Sequence, residues 1–112
     1  MPDGQEVNDR MGYLLRFVQK FDPSSRAAFL ELERQFAALE REAPEFPKGR
    51  RYVPLAGRDP GNAIVWECEF ATLAALGEAL ALLERDERHE RLYRQQAPYF
   101  QEVYTEIYET FE

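Results

Sequence analysis

The sequence is poor in the residues that most reaction centres use. Among its 112 residues it has one cysteine, Cys68, and one histidine, His89. A single cysteine excludes an intrachain disulfide and any metal site built from several cysteines. No apolar run approaches the roughly 20 residues that a membrane-spanning helix needs, so we predict a soluble protein without a membrane partner. No group of residues fixes a reaction, we predict no cofactor, and whether the protein is an enzyme stays open.

Positive charge is also scarce. The chain has 14 Lys and Arg residues against 21 Asp and Glu residues, which gives a net charge of −7. Phosphate backbones repel such a surface unless a basic patch is strongly segregated, so nucleic acid is not expected as a partner. The start, MPDGQEVNDR, lacks the basic and apolar regions of a secretory signal, and we predict a flexible leader over residues 1–10 and a cytoplasmic location. The rest, residues 11–112, is long enough for a single domain with one core.

The first half of the pattern predicts a strand followed by a helix. Residues 11–21 (MGYLLRFVQKF) alternate imperfectly, as in a strand whose two faces are covered differently. Asp22 then supplies an N-cap oxygen, and Pro23 suits the first helical position because its missing N–H is not needed there. An apolar stripe continues until Pro44 ends the helix. The stripe consists of Phe29, Leu32, Phe36, Leu39 and Ala43.

The middle of the chain predicts a hairpin. Residues 50–55 (RRYVPL) form the weaker strand, because Pro54 cannot donate to a ladder and is tolerated mainly at a sheet edge. Turn-forming residues follow, and residues 63–70 (AIVWECEF) alternate again.

Two helices and a last strand complete the prediction. Thr72 can cap a helix, although Gly77 inside it costs about 1 kcal/mol relative to alanine. A short helix over residues 87–96 and a strand over residues 101–111 follow. The leucine stripe of the longer helix comprises Leu73, Leu76, Leu80 and Leu83.

This β-α-β-β-α-β order predicts an α+β, ferredoxin-like fold, with a four-stranded antiparallel sheet and helices on one face. The helix-facing residues are Tyr13, Leu15, Phe17, Ile64, Trp66, Phe70, Val103 and Ile107. The bare face carries Leu14, Arg16, Val18, Val65, Glu67, Glu69, Tyr104, Glu106 and Tyr108. The apolar residues of this face would make an exposed patch larger than monomers usually have. We therefore predict a homodimer formed through this face.

The chain resembles a known superfamily. The order of elements, the acidic strand VWECEF, and the segment RDERHERLYRQQAPYF before a tyrosine-rich last strand resemble the dimeric α+β barrel superfamily, and within it NIPSNAP-type proteins. The resemblance covers residues 11–111. It implies two sheets packed face to face as a homodimer, in some members with a small-molecule pocket between sheet and helices. Relatives often carry Asp-Pro-Glu followed by His or Trp before the last helix, where this chain has Asp86, Glu87, Arg88 and His89 without the proline.

The bare face also gathers charge. Ferredoxin-like strand order sets Arg16 between Glu67 or Glu69 on one neighbouring strand and Glu106 on the other. One interpretation is an ion-pair network that compensates charges buried at a dimer interface. The other is a polar site in which a carboxylate with a raised pKa transfers protons. Its catalytic residues would be Glu67, Glu106 and His89, with Arg16, Glu69, Tyr104 and Tyr108 binding the substrate.

His89 and Cys68, the single histidine and the single cysteine, also have interpretations without a catalytic role. His89 lies at the rim of that site as an acid or base, or it is a solvated residue in a charged helical turn. Glu67 and Glu69 with His89 match no metal-binding spacing, so we predict no metal. Cys68 points towards the helices and is expected to be an inert core thiol.

Three function classes follow. The first is a cofactor-independent enzyme acting on a small organic molecule. The alternatives are a non-catalytic small-ligand-binding protein and an assembly protein. A pocket between sheet and helices separates the first two from the third.

Overall fold

The structure is a computed structural model that describes residues 12–112; the predicted leader lies outside this range. Residues 12–112 form four strands and three helices in the order β-α-β-β-α-α-β, with short 3-10 turns before the first helix and after the last. The strands are β1 (Tyr13–Phe21), β2 (Arg50–Tyr52), β3 (Ala63–Phe70) and β4 (Phe100–Glu109). The helices are α1 (Arg26–Glu42), α2 (Leu73–Arg85) and α3 (Glu87–Gln96).

The strands form one antiparallel sheet in the order β2-β3-β1-β4. This order confirms the ferredoxin-like α+β fold, with β1 and β3 in the centre. Arg16 on β1 lies opposite Glu67 on β3 and Glu106 on β4. Because successive side chains of a strand point to opposite faces, this register places the three charges on the same face.

The helix starts follow the predicted caps with one change. Asp22 Oδ1 accepts a hydrogen bond from the backbone N–H of Ser24 at 3.0 Å, but this opens a 3-10 turn, and α1 begins at Arg26. Thr72 Oγ1 accepts from the N–H of Ala75 at 3.0 Å, as predicted for α2. Such caps satisfy N–H groups that have no partner inside a helix.

Three predicted strands have different bounds. β1 begins at Tyr13, so Gly12 lies outside it. β2 ends at Tyr52, before Pro54, so it covers three of the six residues predicted for it. β4 begins at Phe100 and ends at Glu109, which leaves Phe111 outside the ladder and exposed. A proline cannot donate to a ladder, which accounts for the early end of β2.

The core lies between the sheet and the helices. One buried cluster joins Leu15, Trp66, Cys68 and Leu76. A second joins Phe21, Phe29 and Ile64. Phe29 comes from α1 and Leu76 from α2, and the other side chains come from the helix-facing positions of β1 and β3, the two strands at the centre of the sheet.

The helices leave β4 poorly covered. Val103 and Ile107 have the predicted helix-facing register, yet they are 42% and 46% exposed. Leu73, predicted as part of the apolar stripe of α2, is 55% exposed. The helix layer is therefore narrower than the sheet, and a space remains beside β4.

The predicted bare face is partly covered at one end. Val18 and Val65 are buried although they point away from the helices. The connection between β2 and β3 reaches this end of the face, where Asp59 accepts a hydrogen bond from Tyr104 Oη at 2.9 Å and pairs with Lys20 Nζ at 3.3 Å. The open part of the face is the end around Arg16.

Candidate functional site

A cavity of about 340 Å³ lies between the sheet and the helices. Its apolar wall is mainly aromatic. The rings of Phe17 and Trp66, on adjacent central strands, stack with centroids 5.1 Å apart. The other aromatic residues of the wall are Phe36, Phe46 and Tyr93. Aromatic walls with a few polar groups are typical of small-molecule sites.

The mouth of the cavity is at β4. Val103 and Thr105 line the cavity and are exposed, because the helices do not extend over this strand. Glu84 near the end of α2 and Glu90 in the first turn of α3 also line it. The mouth is therefore open to solvent and acidic.

A buried ion network forms another wall. Arg51 of β2 donates from Nε to Glu33 Oε2 at 2.6 Å and from Nη1 to Glu40 Oε2 at 2.8 Å. Glu33 and Glu40 lie seven residues apart on α1 and so share a face of that helix. Both carboxylates are buried. Because buried charge is costly unless it is paired, Arg51 is held between them.

Further donors complete this network. Glu40 Oε2 accepts from Trp66 Nε1 at 3.3 Å, and Glu40 Oε1 accepts from the backbone N–H of Gly49 at 2.6 Å. Gln96 Nε2 donates to Glu33 Oε1 at 3.0 Å. The network ties α1 to β2, β3 and α3, and it fixes the indole of Trp66 in the cavity wall.

His89 lines the cavity, and its imidazole has a shifted pKa. Its ring lies beside Phe36, at 5.0 Å between centroids, and Phe46, at 6.5 Å. Burial lowers the pKa of His89, although the carboxylates of Asp86, Glu90 and Glu33 oppose this shift. The imidazole is therefore neutral at pH 7 and has a ring nitrogen that can accept a proton.

Asp86 places His89 on the cavity wall. Its Oδ1 accepts from the backbone N–H groups of Arg88 at 2.9 Å and His89 at 3.2 Å, which caps α3. Hydrogen bonding from the Arg88 side chain, with these backbone bonds, holds the pKa of Asp86 at about 2. The cap separates α3 from α2 and directs the first turn of α3 towards the cavity.

Gln19 brings an unused acceptor to the same space. It lies on the helix-facing side of β1, opposite Ile64 and Val103. Its Oε1 is buried and accepts no hydrogen bond from any residue between 12 and 112. A buried polar atom without a partner is costly.

Four of the seven residues predicted for the bare-face site come together. Arg16 donates from Nε to Glu67 Oε2 at 2.7 Å, and from Nη1 to Glu106 Oε1 at 2.5 Å and Tyr108 Oη at 3.3 Å. Burial alone would lower the pKa of Arg16, but the hydrogen bonds that it donates to Glu67, Tyr108 and Glu106 raise it. Its guanidinium is occupied by these partners.

The other three lie apart. Tyr104 shares the face but donates to Asp59, and Glu69 is exposed opposite Leu14. His89 is on the other side of the sheet, in the cavity wall, so the prediction that it lies at the rim of the bare-face group is wrong. The reason is that α3 packs on α1, within the helix layer.

Cys68 is buried in the core as predicted. Burial raises the pKa of its thiol to about 11, so the nucleophilic thiolate is absent at neutral pH. Across residues 12–112 no group of three or more His, Cys, Asp and Glu side chains is arranged to hold a metal ion. In that same range no helix is both long enough and apolar enough to cross a membrane.

The sequence alone did not point to the cavity's charged groups. Glu33 and Glu40 were missed because a carboxylate beside an apolar stripe is usually solvated. Their spacing of seven, each following a stripe leucine (Leu32 and Leu39), is the signal that both face the same neighbour. Arg51 was missed because its strand is short and was expected only to form an edge.

The fold and the cavity can now be compared with known proteins. No family model matches the chain, and neither does any curated protein. Solved structures do match. A NIPSNAP family protein from Agrobacterium tumefaciens has a TM-score of 0.72 at 14% identity, covering 90% of this chain and 87% of that one. An uncharacterised NIPSNAP domain protein from Burkholderia xenovorans has a TM-score of 0.70 at 10% identity, covering 86% and 91%.

A third match is a substituted form of SnoaB, a cofactor-independent oxygenase from Streptomyces nogalater. Its TM-score is 0.61 at 14% identity, and the match covers 90% of this chain and 94% of that one. These matches show the fold: the chain has a ferredoxin-like α+β fold. The fold is similar to that of NIPSNAP proteins, which confirms the resemblance predicted from the sequence.

Proposed function

We propose that this protein binds a small organic molecule in the cavity between its sheet and its helices. The observation that carries the proposal is the cavity itself, about 340 Å³ with an aromatic wall and an open mouth at β4. A filled core would have favoured a protein whose only task is assembly. Ligand sites are commonly concave, largely apolar and furnished with a few polar groups, as this one is.

A cofactor-independent enzyme is the second candidate, and His89 favours it. A neutral imidazole beside an apolar cavity can take a proton from a bound substrate at pH 7 without help from a cofactor. The fold shared with a cofactor-independent oxygenase is compatible with such chemistry, but folds do not fix activities. The catalytic proposal therefore depends on His89 alone.

We propose, in addition, that the protein is a cytoplasmic homodimer formed through the open end of the bare sheet face. Tyr108 is 47% exposed there beside the ion network of Arg16. The network suits an interface, because it compensates charges that dimerisation would remove from water. The polar ligand site predicted around Glu67, Glu69, Glu106 and Tyr104 is the competing role for this face.

A ligand screen with two matched variants tests the proposal. Thr105 and Tyr108 are both exposed on β4 but point to opposite faces of the sheet. Thr105→Trp places an indole at the cavity mouth and should weaken binding of any hit from a thermal-shift or NMR screen. Tyr108→Trp should leave that binding unchanged.

The reverse pattern would move the ligand site to the bare face. If no hit is found, the binding proposal fails. For the enzymatic candidate, His89→Gln should abolish turnover of a bound substrate while leaving its dissociation constant within about threefold, since it removes a base and keeps the volume.

A further inference from the structure

We infer that the cavity takes an organic amine, bound as its ammonium cation, with an aromatic or aliphatic body. This inference rests on the proposed function and names the class of ligand for the same cavity. It follows from three properties of the cavity wall: its rings, its charges and its hydrogen-bonding groups.

The rings attract cations. Five aromatic side chains line the cavity, from the sheet, from α1 and α3 and from the segment that follows α1. The face of an aromatic ring is electron-rich, and it attracts an ammonium group most strongly where water is excluded. Neutral apolar ligands would also bind such a wall, so the rings alone do not decide the ligand's charge.

The charges do favour a cation. Four carboxylates line the cavity, two buried in the network and two at the mouth, against one guanidinium, that of Arg51. Arg51 is already shared between Glu33 and Glu40. His89 adds no positive charge because burial lowers its pKa. Glu84 and Glu90 at the mouth would repel an anionic ligand, even though Glu90 also pairs with Arg94 at 2.9 Å.

The hydrogen-bonding groups point the same way. The strongest donors in the wall are committed: both the Arg51 guanidinium and the Trp66 indole N–H donate to the network carboxylates. An acceptor remains available in the wall, namely a ring nitrogen of the neutral His89. A ligand rich in donors and without acceptors fits this set, and an ammonium group has three donors and no acceptor.

A carboxylate or phosphate ligand would meet the opposite situation. It would need donors that are already used, and it would bring a further negative charge next to the buried pair of Glu33 and Glu40. Such a ligand would leave its own acceptors unpaired in a space where unpaired polar groups are costly.

The test compares three probes of nearly equal shape: 2-phenylethylamine, 2-phenylethanol and phenylacetate. They are titrated calorimetrically into the full chain at neutral pH, where the first is a cation and the last an anion. We expect the amine to bind about tenfold tighter than the alcohol, because ring and carboxylate attraction add to the same apolar contact, and the acid to bind most weakly. Added salt should weaken binding of the amine and leave binding of the alcohol unchanged.

Two variants on α2 localise the effect. Glu84→Gln removes a carboxylate at the cavity mouth. It should weaken binding of the amine severalfold without changing binding of the alcohol. Glu78→Gln removes a carboxylate from the same helix outside this cavity and should change neither.

The outcomes separate this inference from the proposed function. Alcohol binding equal to or tighter than amine binding would overturn the amine assignment and leave a small-molecule site standing. So would an amine preference that survives Glu84→Gln. If none of the three probes binds, the amine inference fails, and the broader screen decides the proposed function independently.

Discussion

Gly49 lies directly against the indole of Trp66. A Cβ added to Gly49 would come within 2.5 Å of Trp66 Nε1, closer than carbon and nitrogen can approach. The same indole N–H donates to Glu40, and the ring stacks on Phe17 in the cavity wall. The absence of a side chain at Gly49 therefore allows Trp66 to hold both the ion network and the wall in place.

Gly49→Ala should destabilise the protein by about 1–3 kcal/mol, because the buried indole must shift and cannot do so freely. Denaturant unfolding checks this. Gly77→Ala is the matched control, since nothing lies near a Cβ added at that exposed position of α2. It should stabilise the protein by about 0.5–1 kcal/mol through helix propensity. Equal effects of the two substitutions would contradict the packing of Gly49 against Trp66.

Leu32→Ala should cost about 2–5 kcal/mol of unfolding free energy, because Leu32 is buried on the stripe of α1. The sequence predicts the same cost for Leu80→Ala. The structure lowers that expectation, because Leu80 is partly exposed and lines the cavity, so its truncation only enlarges an existing space. Denaturation midpoints compare the stability of the two variants. A larger loss of stability for Leu80→Ala than for Leu32→Ala would mean that the cavity is filled in solution.

Stability should fall with acidification through His89. The folded chain has a His89 pKa below the ordinary 6.5, so between 6.5 and that lowered pKa the unfolded chain binds a proton that the folded chain does not. The free energy of unfolding therefore decreases as the pH falls through this window.

His89→Gln cannot take up this proton, so its stability should change less than that of the parent between about pH 7.5 and about pH 5.5. Asp86 does not interfere, because its stabilising effect is lost only as the pH falls from 3.8 towards about 2. Parallel pH profiles for parent and variant would show that the His89 ring is solvated, as the simpler interpretation of the sequence has it.

Light scattering should give the mass of a dimer at micromolar concentration. Tyr108→Glu should produce a monomer, because a carboxylate would enter the proposed interface beside Glu106. Ile107→Glu is a control of nearly equal exposure, 46% against 47%, on the other face of the same strand. A parent protein with a monomeric mass would refute the dimer, and monomers from both variants would place the interface at the strand edge.

The contribution of the Arg16 ion pairs to the free energy of unfolding also tests whether this face forms an interface. In an isolated chain, its ion pairs are partly exposed and should contribute at most about 1 kcal/mol each. At a dimer interface the charges are buried, and Arg16→Ala or Glu67→Gln should cost about 3–5 kcal/mol. If Glu67→Gln instead impairs ligand binding with little loss of stability, the polar site predicted on this face is supported.

Local patterns were enough to predict which face of each central element is apolar. The alternation around Leu15 and Trp66, the stripe from Phe29 to Ala43 and the cap at Thr72 depend on neighbours within a few residues, and all appear as predicted. The opposition of Arg16 to Glu67 and Glu106 also followed, because strand order and period-2 alternation together fix which side chains meet.

The cavity results from tertiary packing alone. Glu33, Glu40 and Arg51 have ordinary sequence surroundings, and they meet only because α1 crosses the edge where β2 lies. His89 belongs to a charged segment that suggests solvent, yet the position of α3 against α1 turns its ring towards Phe36 and Phe46. The exposure of Val103 depends on how far the helix layer extends over the sheet. Such features arise between elements far apart in the chain, where the sequence carries no local signal of distance or coverage.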